Sequence, residues 1–260
     1  MLVISEKKDN FLFNLSKKFN LFYIEHKNSI GGRYSVLSET GVIPSFLMDI
    51  NINRLRSKLL MILKENNKKF LKESVIKLAE ILSSMRYSNL IFLNYAPELE
   101  KFLFWLQQLV AESLGKKNKG FLPLISNVPK DHHSLLQLYL DGPKDKIFYI
   151  FSTEIKSKVK ININKNIKDK DFLKNRYLWS VKNAQKNALI QTLVKKKIPF
   201  RQFNIKRIDE SVLGSLFSYF ILETILVGKL SKINPFDQPA VEQVKKHTKK
   251  LLVKKTKNNF

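Results

Sequence analysis

Cysteine is absent from the 260-residue sequence, which excludes disulfides and thiolate metal sites and fits a reducing, cytoplasmic setting. Histidine is scarce, at four residues, and none forms a spaced ligand pair with nearby acids. Acidic residues are outnumbered, 22 against 47 Lys and Arg, leaving a formal net charge of +25. No apolar run approaches the ~20 residues that cross a bilayer. The N-terminus, Met1-Leu-Val-Ile-Ser-Glu-Lys-Lys8, lacks the order of basic, apolar and small residues that makes a signal peptide. No internal repeat is visible. A membrane partner and export are therefore not expected.

What is present is an apolar content of 44%, enough to bury a core in one large domain or two small ones. A charge of this size ordinarily points to an acidic partner, since basic surface releases counterions from phosphates. Here the basic residues are nearly all Lys rather than the forked Arg favoured by nucleic-acid readers, and they are spread among abundant Asn, Ile and Phe. The composition reads as a general bias toward those residues, giving a solvated basic surface whose field favours an anionic substrate. The Lys-rich tail, His247 to Asn259, lacks the interleaved aromatics and motifs of nucleic-acid binders, so no nucleic-acid partner is expected.

The patterning alternates strand and helix. Leu2 to Ile4 and Leu21 to Ile24 are β-type runs on either side of a helical stretch, Lys7 to Phe19. Ile30 to Pro44, with three glycines and a proline, predicts a loop. Helical spacing follows over Ile52 to Lys64 and Lys69 to Met85. Asn89 to Tyr95 is apolar on both faces, as in a strand buried within a parallel sheet, and Pro97 to Leu114 has the period of a helix. Phe121 to Ser126, Lys146 to Ser152 and Ile198 to Ile205 are further strands, separated by helices near His133 to Leu140 and Phe172 to Lys195. Glu154 to Lys170 predicts a hairpin or mobile loop, and Ser211 to Leu230 and Gln238 to Val253 predict closing helices. The fold class is α/β, a doubly wound, mainly parallel sheet. Ligands of such sheets sit beyond the carboxyl ends of the strands, where the motifs are expected to meet.

Four segments carry chemistry. The glycines beside Arg33 in GGRYS (31–35) make a tight loop with a cation near backbone amides, an anion device, although a solvated loop Arg has the same look. Glu112 closes the apolar helix of QQLVAESLGK (107–116), where it is either a base or a surface residue. His132 and His133 open a helix in DHHSLLQLYLDGP (131–143), and a histidine pair is often structural. NPFDQPAVEQVK (234–245) is a turn and a helix start in a basic tail.

In this order the four segments, with the Asp141-Gly-Pro-Lys-Asp-Lys146 turn, resemble the phosphoglucose isomerases over nearly the whole chain. The resemblance implies an enzyme interconverting glucose 6-phosphate and fructose 6-phosphate in glycolysis and gluconeogenesis, through a cis-enediol and with no metal or organic cofactor. It makes Glu112 the base that moves a proton between two carbons. His133 assists ring opening, Lys245 does acid-base work at the ring, and Arg33 stands near the enediolate. Gly32, Gln108 and Gln238 are placed at the substrate. Partial burial against the apolar face of its helix is expected to raise the proton affinity of Glu112.

The resemblance also implies a homodimer with the active site at the subunit interface, the histidine crossing from one copy to the other. It divides the chain into residues 1–50, the end of a first sugar-isomerase domain with the GGRYS loop; 51–230, a second such domain; and 231–260, a helical tail. His132 stands where relatives often have Gln, and Pro239 and Ala240 depart modestly from the family pattern. Relatives also carry a preceding domain whose Ser/Thr-rich loops hold the phosphate. Its absence from this sequence predicts weak or no turnover by this chain alone, leaving a sugar-phosphate-binding piece as the alternative function.

Overall fold

In the computed structural model, residues 1–162 and 172–257 are described, with the side chains of 65–67 and 254–257 outside that description. Much of the predicted 154–170 connection and the end of the basic tail thus lie outside the described residues.

The N-terminal strand, helix and strand form as the pattern predicts. Strands β1 (Leu2–Ser5) and β2 (Phe22–Glu25) pair in parallel, linked by helix α1 (Phe11–Lys18). Asn10 caps α1 by accepting from Phe13 N at 3.0 Å, satisfying one of the unpaired amides of the first turn.

The predicted loop over Ile30 to Pro44 is in large part helical. Gly32–Leu37 winds as a 310 helix and Glu39–Leu47 as α2. Turn-forming residues here shape tight helical turns rather than open loop, with Ser38 Oγ and Thr40 Oγ1 both donating to Ser35 O. Pro44 lies within α2, where it forgoes one main-chain bond.

The predicted helix from Ile52 to Lys64 is broken into α3 (Ile52–Arg56) and a 310 turn, Leu60–Leu63. Ser57 ends α3 by turning its hydroxyl back onto Arg54 O at 2.8 Å, a side-chain bond that competes with continued helix. Tertiary packing fixes the break. Helix α8 (Glu210–Leu230) crosses α3 so closely that a Cβ on Gly214 would stand 1.7 Å from Leu55 O. Gly214→Ala is expected to destabilise the protein by roughly 3 kcal/mol through overpacking, read as a lower urea midpoint; an unchanged midpoint would contradict this crossing.

The main sheet contains β3 (Asn89–Asn94), β4 (Leu122–Asn127), β5 (Lys146–Thr153) and β6 (Phe200–Ile205), all parallel, in the order β4-β3-β5-β6. The order runs outward from β3 to β4 and then reverses to β5, the doubly wound arrangement expected. Period-two side-chain alternation sends Leu90 and Phe92 of β3, with Ile147, Tyr149 and Phe151 of β5, onto one face. That face is covered by α4 (Glu65–Ser84), α5 (Glu100–Leu114) and α8. Ile91, Leu93, Phe148 and Ile150 point the other way, under α6 (His132–Asp141) and α7 (Leu178–Lys195). Strand β3 is read correctly as apolar on both faces because both are covered. Helix α7 begins six residues later than predicted, after Tyr177 has bridged to Lys160.

By length and composition α8 is apolar enough to cross a membrane. It packs instead against α3, α4 and α5, burying Phe220, Thr224 and Val227, and is the central helix of the larger core. Helix α9 (Pro239–Lys257) ends the described chain.

Candidate active site

The site is built on three stretches that meet at the far end of α5. This helix leaves the carboxyl end of β3 and runs back along the sheet, so its last turn returns to where β3 and β4 begin. Arg33, from the 310 helix, enters there with its side chain 2% exposed. Its five N–H groups, a rigid fork, all have acceptors. Nε donates to Ser113 Oγ (2.9 Å), Nη1 to Glu112 Oε2 (3.3 Å) and Gln238 Oε1 (2.7 Å), and Nη2 to the carbonyls of Pro235 (2.6 Å) and Asp237 (3.1 Å).

A second layer holds this fork. The Tyr34 hydroxyl donates to Pro235 O (2.9 Å) and bonds Ser113 Oγ (2.8 Å); burial raises its pKa, with Ser113 and Arg33 opposing. Trp105 Nε1 donates to Arg33 O at 3.0 Å. Lys116 Nζ pairs with Asp237 Oδ1 at 2.8 Å, holding the Asp237 carboxyl below the usual range. Ser113, Tyr34, Trp105 and Lys116 carried no role in the sequence reading, although each lies inside or beside a quoted motif.

Glu112 faces outward from this base. Gln108, one turn earlier on the same helix face, donates Nε2 to its Oε1 at 3.0 Å. The apolar seat expected for this carboxylate is not there. Its side chain is 29% exposed, between a guanidinium and an amide, and it lines a cleft of about 840 Å³ with Ser88, Lys116, Leu122 and Gln238. These residues mark the amino ends of β3 and β4. The expectation that the motifs converge beyond the carboxyl ends is therefore corrected: the convergence here uses the end of a helix that has already crossed the sheet.

The remaining residues stand apart. Gly32 faces open space, with nothing within 4 Å of a built Cβ, so no close approach explains the glycine. Lys245 lies on α9, exposed, its Nζ 2.8 Å from Glu242 Oε1. His133 is exposed at the start of α6, at the carboxyl end of β4, and so the full strand from Glu112, ~20 Å at 3.3 Å per residue. His132 is turned inward instead, its Nε2 2.8 Å from the Tyr95 hydroxyl; burial lowers its pKa, with Asp131 opposing. The structure thus brings together Arg33, Glu112, Gln108 and Gln238, and leaves His133 and Lys245 outside the group. The guanidinium is held by main-chain carbonyls and side chains; the anion device expected of the glycine loop, with cation and backbone amides side by side, is not what these contacts build.

A parallel sheet covered on both faces by helices makes this a doubly wound α/β protein, with a carboxylate held beside a buried guanidinium at a helix end. The chain belongs to the phosphoglucose isomerase family, whose model matches residues 17–260. It is 30% identical over 243 residues to a glucose-6-phosphate isomerase of Methanocaldococcus jannaschii, covering 89% of this chain and 58% of that relative. With one from Mycoplasmopsis synoviae it shares 31% over 270 residues, covering 98% and 61%. The chain thus spans about three-fifths of the length of these relatives. A crystal structure of a hypothetical protein from Thermus thermophilus superposes with a TM-score of 0.84 at 24% identity, over 96% of this chain and 62% of the other. A glucose-6-phosphate isomerase from Chlamydia trachomatis gives 0.75 at 15%, over 98% and 53%. At these identities the two structures establish the fold alone.

Proposed function

We propose that the chain is the base-bearing part of an aldose-ketose isomerase, cytoplasmic and acting in glycolysis and gluconeogenesis, that interconverts glucose 6-phosphate and fructose 6-phosphate. The observation that carries this reading is Glu112 at the mouth of an open cleft, beside Arg33 and Gln238.

The reaction asks for one carboxylate that removes a proton from C2 of the opened sugar and returns it to C1. Glu112 takes that role, with one oxygen steadied by Gln108. As the proton leaves, negative charge gathers on the oxygens of the cis-enediolate, and a guanidinium fixed in advance stabilises it by about 3 kcal/mol per well-placed donor. Gly32, Gln108 and Gln238 are assigned to the substrate. Ring opening requires a proton to leave the anomeric hydroxyl while another reaches the ring oxygen, the work assigned to His133 and Lys245. What supports a homodimer with the active site at its interface is the strand-length separation of His133 from Glu112: a second copy can supply the imidazole that this copy cannot.

The alternative, a piece that binds sugar phosphate without turnover, is favoured by the three-fifths span. One experiment separates the two. Fructose 6-phosphate turnover by the purified chain is followed in a coupled assay, beside its binding measured by calorimetry, for wild type and Glu112→Gln. Isomerisation predicts about a 10³-fold loss of kcat with binding retained. Equal turnover by both proteins would overturn the role of Glu112, and binding without turnover by either would establish the alternative.

A further inference from the structure

A second cleft, of about 380 Å³, opens at the other end of the sheet. It lies over the carboxyl ends of β3, β5 and β6, where the strand order reverses from β3-β4 to β3-β5. Tyr95 follows β3, Ser152 and Thr153 close β5, Asn204 is next to last in β6, and α7 supplies Trp179, Lys182 and Lys186. Open parallel sheets bind ligands at this crevice, and the proposed isomerase chemistry, at the amino ends, leaves it unused.

We propose that this crevice binds a small phosphate monoester, with Lys186, Lys182 and Lys156 around the phosphate and the Trp179 ring beside the remainder of the ligand. Four observations support it. Three lysines line the cleft against one carboxylate, Glu154. Lys186 reaches in, its Nζ donating to Ser152 Oγ at 3.3 Å, and Ser152 Oγ donates in turn to Asn204 Oδ1 at 2.8 Å. Thr153 Oγ1 is buried with no hydrogen-bond partner among the described residues, an arrangement that costs free energy unless something accepts from it. Lys156 Nζ stands 5.5 Å from the Trp179 ring centroid, placing cation and apolar face side by side. Burial lowers the pKa of Lys186; Glu154 opposes and Lys182 reinforces that shift, so a second negative charge is what this group lacks. The cleft falls at the small end of ligand-site volumes, which suits one phosphorylated metabolite and not a polymer.

The test uses the full chain and inorganic phosphate as the probe, with tryptophan fluorescence and calorimetry as readouts and chloride at matched ionic strength as the control. Saturable binding is expected, weakened at least tenfold by Lys186→Met and by Lys182→Met, with Glu112→Gln leaving it unchanged. Using both lysine variants guards against one that fails to fold. A chloride response equal to the phosphate response, unchanged affinity in both lysine variants, or loss of binding in Glu112→Gln would each overturn the site. Because Glu112→Gln tests isomerisation and the lysine variants test this crevice, either reading can fail without the other.

Discussion

Arg33→Met is expected to cost about 3–5 kcal/mol of stability and, on the proposed function, to abolish isomerisation. The magnitude follows from what is left behind. The guanidinium is 2% exposed and donates to five acceptors from two separate stretches of chain, 112–113 and 235–238. Removing a buried charged group strips a hydrogen bond from every partner it held. Ser113 Oγ and Pro235 O retain Tyr34, but Asp237 O and the Gln238 amide lose the donor that fixes them. The 234–238 turn, which leads into α9, is the part released. Urea unfolding measures the loss, and hydrogen exchange of the Phe236, Asp237 and Gln238 amides locates it. Tyr34→Phe, which removes one hydroxyl from the same assembly, is expected to cost about 1 kcal/mol. An Arg33→Met protein with the wild-type urea midpoint and unchanged amide protection would show that the fork does not hold the turn.

Glu223→Leu is expected to be as damaging to stability, by a different route. Glu223 of α8 is 2% exposed, and its Oε1 accepts from Arg201 Nη1 (2.8 Å), the Tyr219 hydroxyl (2.9 Å) and Ser74 Oγ of α4. Arg201, on β6, also donates to the hydroxyls of Tyr149 (2.8 Å) and Tyr219 (2.7 Å). Burial lowers the pKa of Arg201, but Tyr149, Glu223 and Tyr219 outweigh it and hold the group above its ordinary value. Burial raises the Tyr149 and Tyr219 hydroxyls, and Glu223 adds to both shifts.

The network therefore joins sheet, α4 and α8 around one ion pair. Breaking a buried pair from one side costs roughly 3–5 kcal/mol, because a charge is left without its partner; replacing both members with apolar groups of similar volume is often near neutral. The expectation is that Glu223→Leu sharply lowers the urea midpoint and that Arg201→Met added to it restores most of the loss. A double variant no more stable than the single one would mean that the five hydroxyl and ionic contacts, rather than the orphaned guanidinium, set the cost.

Much of the scaffold was legible because its signals are local. Strands β3 and β5 announce themselves by apolar residues on both faces, and α5 by an apolar period of full helical length. The reading failed where distant contacts decide. Nothing in Ile52 to Lys64 says that Gly214, some 160 positions later, will admit Leu55 to backbone contact and end a helix there. Glu223 stands out in the sequence as a lone charge between Leu222 and Thr224 in an apolar helix, but its partner Arg201 cannot be chosen from spacing. The resemblance named Arg33, Glu112, Gln108 and Gln238 together, and they meet. It could not foresee that Ser113 and the carbonyls of Pro235 and Asp237 hold the guanidinium, since carbonyls leave no mark in a sequence. Nor did the general rule for open sheets locate the meeting point, because that rule follows strand ends and this site follows a helix end.

The full engagement of Arg33 has a consequence for how a substrate is received. A guanidinium with no vacant donor answers an incoming oxygen only by letting go of one it already holds. Its bond to Glu112, 3.3 Å long, is the loosest of the five. On the proposed isomerase reading, surrendering that contact would free one carboxylate oxygen as a sugar hydroxyl arrives beside it, joining admission of the sugar and arming of the base in a single exchange.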